Sequence, residues 1–236
     1  MTGQLYNLYR TCFGDSDECI STYLGFALAH GRICTRSENG TVVSSVSSCP
    51  CNLEGRNAVY IFAAATLPDY RGRGHMRACL EEACDGADIS VCIPASEELF
   101  GLYASLGFTR RTRCSELRLQ GSGTLPPEVF TGDPSELYPL HRGVHTPELF
   151  SACVRCHLTD PYAHIWLVGG GYAAVRDTPD MLYADEIHCS LTELVKCTAK
   201  PITARLPEGC GDSRDIACIR TSVPLPEGLY INFLFN

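Results

Sequence analysis

One stretch of this chain limits its fold more than any other: a strand-type run that stops at a proline and passes through two closely spaced glycines into a helix. Residues 59–80 read VYIFAAATLPDYRGRGHMRACL. Pro68 closes the apolar run of 59–66, Arg71-Gly72-Arg73-Gly74 follow, and then Met76, Cys79, Leu80, Ala83 and Cys84 recur at helical spacing. Glycine lets the backbone come close to a ligand, and a helix opening just after it points unpaired N–H groups outward with the positive end of its dipole behind them. Such a turn is an anion cradle. Arg71, Arg73, His75 and Arg77 add positive charge around it in a chain of net charge −8, so a diphosphate is its natural guest.

Spacing separates the known cradles. A P-loop needs GxxxxGK[ST], and no lysine follows Gly72 or Gly74 in that register; a dinucleotide fingerprint needs a third glycine where Arg77 stands. The run Pro68-Asp69-Tyr70-Arg71-Gly72-Arg73-Gly74-His75-Met76 instead resembles the [Q/R]-x-x-G-x-[G/A] turn, preceded by Pro-x-Tyr, of the GNAT acetyltransferases. It departs from that pattern in carrying Met76 at the last small position. About thirty residues on, a short β-branched run at 89–93 ends at Pro94, and Ser96-Glu97-Glu98 opens a helix with Leu99, Phe100, Leu102, Tyr103 and Leu106 before Gly107. There Tyr103-x-x-x-Gly107-Phe108 resembles a second signature of the same family.

The resemblance implies an α+β fold, the GNAT acyl-CoA N-acyltransferase fold, with a mixed sheet flanked by helices and a second, degenerate GNAT-like lobe. It implies acetyl-CoA as co-substrate and a small-molecule or peptide amine as acceptor. Backbone groups at Ala64 and Thr66 would hold the pantetheine arm, and Arg71 with the N–H groups of Gly72, Arg73, Gly74, His75 and Met76 would hold the diphosphate. Ser96 stands where the family often has Asn, and Tyr103 would be the general acid toward the departing thiolate. Tyr103 also reads as a plain core residue beside Leu99 and Leu106. No Asp or Glu falls between 59 and 67, so the general base stays open among Asp185, Glu186, His188 and the Asn236 carboxylate. Met76, Ser96 and that missing base keep a second class open, an acyl-CoA-binding sensor or interaction module without turnover.

Ahead of this unit, Leu5, Leu8, Tyr9 and Cys12 mark one amphipathic helix and Ile20, Leu24, Ala27 and Leu28 another. The strand that usually precedes them in the family is absent. Asn39-Gly40 between 32–35 and 41–46 signals a hairpin, with a polar turn expected over 47–56. Residues 113–119 alternate as a last strand, and the Gly/Ser/Pro-rich 120–127 marks a boundary between a GNAT domain at 1–120 and a second lobe at 128–236. In the second lobe a helix (147–157), a hairpin across Gly169-Gly170-Gly171, a strand (181–187) and a helix (191–197) repeat the plan without the glycine turn. LYINFLF at 229–235 reads as a further strand that one sheet must receive.

With 236 residues, 45% hydrophobic and 19% charged, the chain can build a sizeable core. No window of eighteen apolar residues and no leader pattern appear, so neither a membrane nor export is expected. Fifteen cysteines, an odd number lying within apolar patterns, read as free thiols in a reducing cytoplasm. Cys153-Val154-Arg155-Cys156-His157 matches a haem-attachment spacing but sits in a helix pattern, and Cys49-Pro50-Cys51 lacks a second ligand pair. The seven histidines look scattered, and no metal is expected. No basic face interleaved with aromatics appears, so nucleic acid is not expected as a partner. Oligomeric state cannot be read.

Overall fold

The computed structural model describes residues 2–53, 55–209, 211–225 and 229–232. Two helices, α1 (Thr2–Phe13) and α2 (Asp17–His30), open the chain; Leu5, Leu8 and Tyr9 bury one face of α1, and Ser16 caps α2 by accepting from the N–H of Cys19. Strands β1 (Arg32–Glu38) and β2 (Thr41–Leu53) form the hairpin that Asn39-Gly40 predicts, both turn residues having positive φ as its tight turn requires. The polar turn expected over 47–56 is not there. Residues 47–53 continue β2, and β3 (Arg56–Thr66) begins at once. The serines misled because they lie inside: Ser47 and Ser48 are both buried, and Tyr9 Oη meets Ser47 Oγ at 3.4 Å.

After β3 come a turn of 3₁₀ helix (Pro68–Tyr70), α3 (His75–Ala83), β4 (Ile89–Cys92), α4 (Glu97–Ser105) and β5 (Arg110–Gln120). The stretch after β5 is no slack tether: the N–H groups of Gly121, Ser122, Gly123 and Leu125 donate to the carbonyls of Lys200, Val195, Thr198 and Lys196. The second half supplies a short β6 (Glu128–Val129), a 3₁₀ segment (Pro134–Leu140), α5 (Pro147–His157), β7 (Ala163–Val168), β8 (Gly171–Asp177), β9 (Leu182–His188), α6 (Leu191–Leu194), β10 (Pro201–Pro207) and β11 (Asp212–Thr221). The helix expected over 191–197 is a single turn. The strand expected at 229–235 is not formed at 229–232, and the rest lies outside the described residues.

All eleven strands join one mixed sheet in the order β1-β2-β3-β4-β11-β5-β10-β9-β8-β7-β6. The order shows a reciprocal exchange: β11 of the second half lies beside β4 of the first, and β5 of the first lies beside β10 of the second. Each half has one parallel pair joined through a helix, β3 with β4 around α3 and β9 with β10 around α6. Enclosed by neighbours, β4 is buried at every residue and β11 from Ile216 to Ile219, as a strand covered on both faces should be. The edge strand β1 is backed by α3, where Arg32 and Arg36 both reach the Glu82 carboxylate. No helix is long and apolar enough to cross a membrane among the described residues.

Candidate functional site

The site grows from a parting in the sheet. β3 pairs with β4 only from Ala58 to Ile61, and β4 stops at Cys92, so residues 62–66 run on without a partner on that side. On the β2 side the register shifts between Ser45 and Ser47, where β3 carries an extra residue. Ala63 there has φ of 48°, a conformation rare for a residue with a side chain and typical of a bulge that re-aims a strand. The local sequence Ala63-Ala64-Ala65 is small enough to allow it.

At the parting lies a cavity of about 340 Å³ lined by Ala63, Ala64, Leu99 and Tyr103, with Phe13, Asp15 and Tyr23 from the α1–α2 side and Cys156 from α5. Tyr103 is 8% exposed and packs edge-on against Phe108 at 5.7 Å, so it serves the core and the cavity at once. Burial first, then the neighbouring Cys92, pushes its phenol well above the usual range, and the hydroxyl stays protonated at neutral pH. Asp15 is the only carboxylate lining this cavity among the described residues. Its partial desolvation raises its pKa, against a hydrogen bond from Tyr23 that lowers it. Sequence reasoning missed Asp15 because it lies in the loop between two helices, where an Asp reads as a turn residue.

The glycine turn follows the unpaired end of β3. Gly72 and Gly74 have φ of 75° and 83°, and Gly74 caps α3. Among the described residues, none of the N–H groups from Gly72 to Arg77 donates to a partner within the chain, and Arg71 to Gly74 are exposed. The charged side chains turn elsewhere. Arg73 reaches Glu38 Oε2 at 3.1 Å and lies over the Tyr70 ring, while His75 Nε2 meets Glu38 Oε1 at 2.7 Å. Arg71 Nε donates to the Thr66 carbonyl at 3.2 Å, so that carbonyl is occupied, whereas Ala64 faces the cavity. Met76 is half-buried against the core cluster of Cys79 and Leu80. Ser96 is exposed at the start of α4 and makes no capping bond.

The sequence-based base candidates lie elsewhere. Asp185 is held by Arg176 in a two-pronged pair at 2.7 and 3.0 Å, and Glu186 and His188 bond each other at 2.7 Å; none of the three lines the Tyr103 cavity. Asn236 lies outside the described residues.

A sheet that parts beside a bulged strand, with a glycine-opened helix at the end of that strand, is the GNAT acyltransferase fold. Residues 2–108, a little under half of the chain, match the family model described as the acetyltransferase (GNAT) family. Among solved structures, a probable N-acyltransferase from Enterococcus faecalis V583 superposes with a TM-score of 0.69 at 14% identity, covering 93% of this chain and 70% of that one. A GCN5-related N-acetyltransferase from Kribbella flavida gives 0.63 at 17% identity, covering 93% and 69%. A putative acetyltransferase from Pyrococcus horikoshii gives 0.58 at 13% identity, covering 99% and 90%. At these identities the likeness is one of fold. No curated protein matches the chain.

Proposed function

We propose that the chain transfers an acetyl group from acetyl-CoA to a primary amine of a small molecule or peptide. The observation that carries this reading is the unpaired run 62–66 opening onto a cavity that holds both a protonated phenol and a carboxylate. The thioester would lie along that run, its carbonyl polarised by main-chain N–H groups near Ala64, with the diphosphate on the N–H groups of Gly72 to Met76. The amine nitrogen bonds to the thioester carbon, its proton leaves toward Asp15 directly or through a water, and the carbon–sulfur bond breaks. Tyr103 donates a hydrogen bond to the departing thiolate. A phenol with a raised pKa serves better as such a donor than as a full proton source, which sets the size of its effect. The fourteen described cysteines form no disulfide among themselves, which suits a reducing compartment such as the cytoplasm.

The test is release of free CoA from acetyl-CoA across a panel of amines, followed by Tyr103→Phe. Turnover in the variant falls by about 10- to 100-fold, the worth of one hydrogen bond to a charged group, while acetyl-CoA affinity stays within about twofold. Lost affinity with an unchanged rate per bound cofactor would make Tyr103 a core residue only. Met76 at the crowded end of the turn and the commitment of Arg73 and His75 to Glu38 favour a second reading, a protein that binds acyl-CoA without turning it over. Stabilisation by acetyl-CoA with no CoA released by any amine would select it.

A further inference from the structure

The histidines that look scattered along the sequence are not scattered in space. Glu186 and His188 stand two residues apart on β9 and so share a face, and β8 sets Tyr172 opposite His188 on that same face. The loop after the 3₁₀ segment brings His141 and His145 onto it. His141, His145 and Glu186 are all at most 6% exposed. The His141 ring lies 4.8 Å from that of His188 and 4.6 Å from that of His145, centroid to centroid. Tyr172 Oη meets His141 Nδ1 at 2.8 Å, which leaves Nε2 to the cluster, where His145 Nδ1 stands 2.9 Å away. His188 Nε2 lies 2.7 Å from Glu186 Oε1, and the amide of Asn232 donates to Glu186 Oε2 at 2.8 Å.

A buried carboxylate facing imidazoles, with no lysine or arginine paired to it among the described residues, calls for a cation. His141, Glu186 and His188 each offer one ligand atom, and the three atoms lie within 4.8 Å of one another. We propose that these three residues form a zinc site, with a water completing the fourth position. A tetrahedral zinc with ligands at about 2.0–2.1 Å holds its donor atoms about 3.3 Å apart, so the present short pairs open slightly while the longer separations close. Imidazole and a single carboxylate suit zinc rather than calcium or magnesium. Tyr172 on His141 and Asn232 on Glu186 are the outer partners that orient such ligands. The ion would pin the 141–145 loop, whose Val144 carbonyl accepts from Asn52 of β2, against the second half of the sheet.

The experiment is a titration of the chelator-treated full chain with Co²⁺ and Zn²⁺. The expected result is one ion per chain, visible cobalt bands of a four-coordinate site, and no near-ultraviolet thiolate-to-cobalt band, which separates this site from the fifteen cysteines. Zinc at a hundred times its Kd raises Tm by about 5 °C or more. Glu186→Gln and His188→Ala lose the visible bands and the Tm shift. Folded wild type that binds no ion at 100-fold molar excess overturns the proposal, as does a thiolate band in place of the visible set. So do variants that titrate like wild type. Should His188→Ala fail to fold, the wild-type cobalt spectrum and Glu186→Gln decide.

Discussion

Gly72→Ala and Gly74→Ala test the anion cradle most directly, because the structure separates their two effects. At φ of 75° and 83°, an added Cβ meets nothing within 4 Å at either position. The unliganded chain therefore feels only the left-handed backbone cost, about 1–2 kcal/mol. For a chain of this size that lowers Tm by about 2–8 °C. Cofactor affinity should suffer more. A diphosphate oxygen must come within about 2.9 Å of the backbone N–H groups, and a methyl group or a shifted peptide at that point removes charge-assisted hydrogen bonds of about 1.5–3 kcal/mol each. Losing two of them weakens acetyl-CoA by about a hundredfold or more. Thermal melts and calorimetric titration with acetyl-CoA measure the two quantities on the same samples. Arg73→Ala is the comparison: its side chain is already committed to Glu38 and the Asp69 carbonyl, so affinity should fall by less than in either glycine variant. Variants with the expected Tm loss but a Kd within threefold of wild type would show that the turn does not hold the cofactor.

Three further outcomes are expected. Ile219→Ala, in the exchanged strand β11 and fully buried, should cost about 2–5 kcal/mol in urea unfolding; a loss under about 1 kcal/mol would mean that β11 is not locked between β4 and β5. His157, bonded through Nε2 to the Val175 carbonyl, has its pKa lowered chiefly by burial. The folded state thus disfavours its charged form, so the stability it adds is full above the unfolded value of about 6.5 and is lost as pH falls toward the depressed folded value. His157→Gln should accordingly lose less stability than wild type between pH 7.5 and pH 5.5. The Cys19 thiol, 2.8 Å from that of Cys156, is lowered first of all by that hydrogen bond, while burial raises Cys49 and Cys51. Iodoacetamide at pH 7.5 should therefore mark Cys19 before Cys49 or Cys51, as peptide mapping would show.

The sequence carried the site's frame where local chemistry determines it. The proline-stopped run, the two positive-φ glycines and the helix that follows are local, as is the Asn39-Gly40 turn. Buried serines hid the second half of β2, since a hydroxyl paired inside reads in sequence like one in water. The exchange of β5 and β11 rests on pairings between residues about a hundred positions apart, and no periodicity records which strands will be neighbours. The His141 cluster was half visible. HRGVH has a spacing of four and EIH a spacing of two, but only the pairing of β8 with β9 and the seating of one loop bring them together. Asp15 needed the cavity to be seen first.

The strand exchange also governs the order in which the molecule can be assembled. When β5 leaves the ribosome, both strands that flank it lie ahead in synthesis, β10 beginning about eighty residues later and β11 later still. A nascent chain ending near residue 120 therefore displays open ladders on β4 and on both sides of β5, which invites pairing between chains. Production of the first half as a separate fragment would meet the same hazard, and co-expression of the two halves is the natural way to recover it.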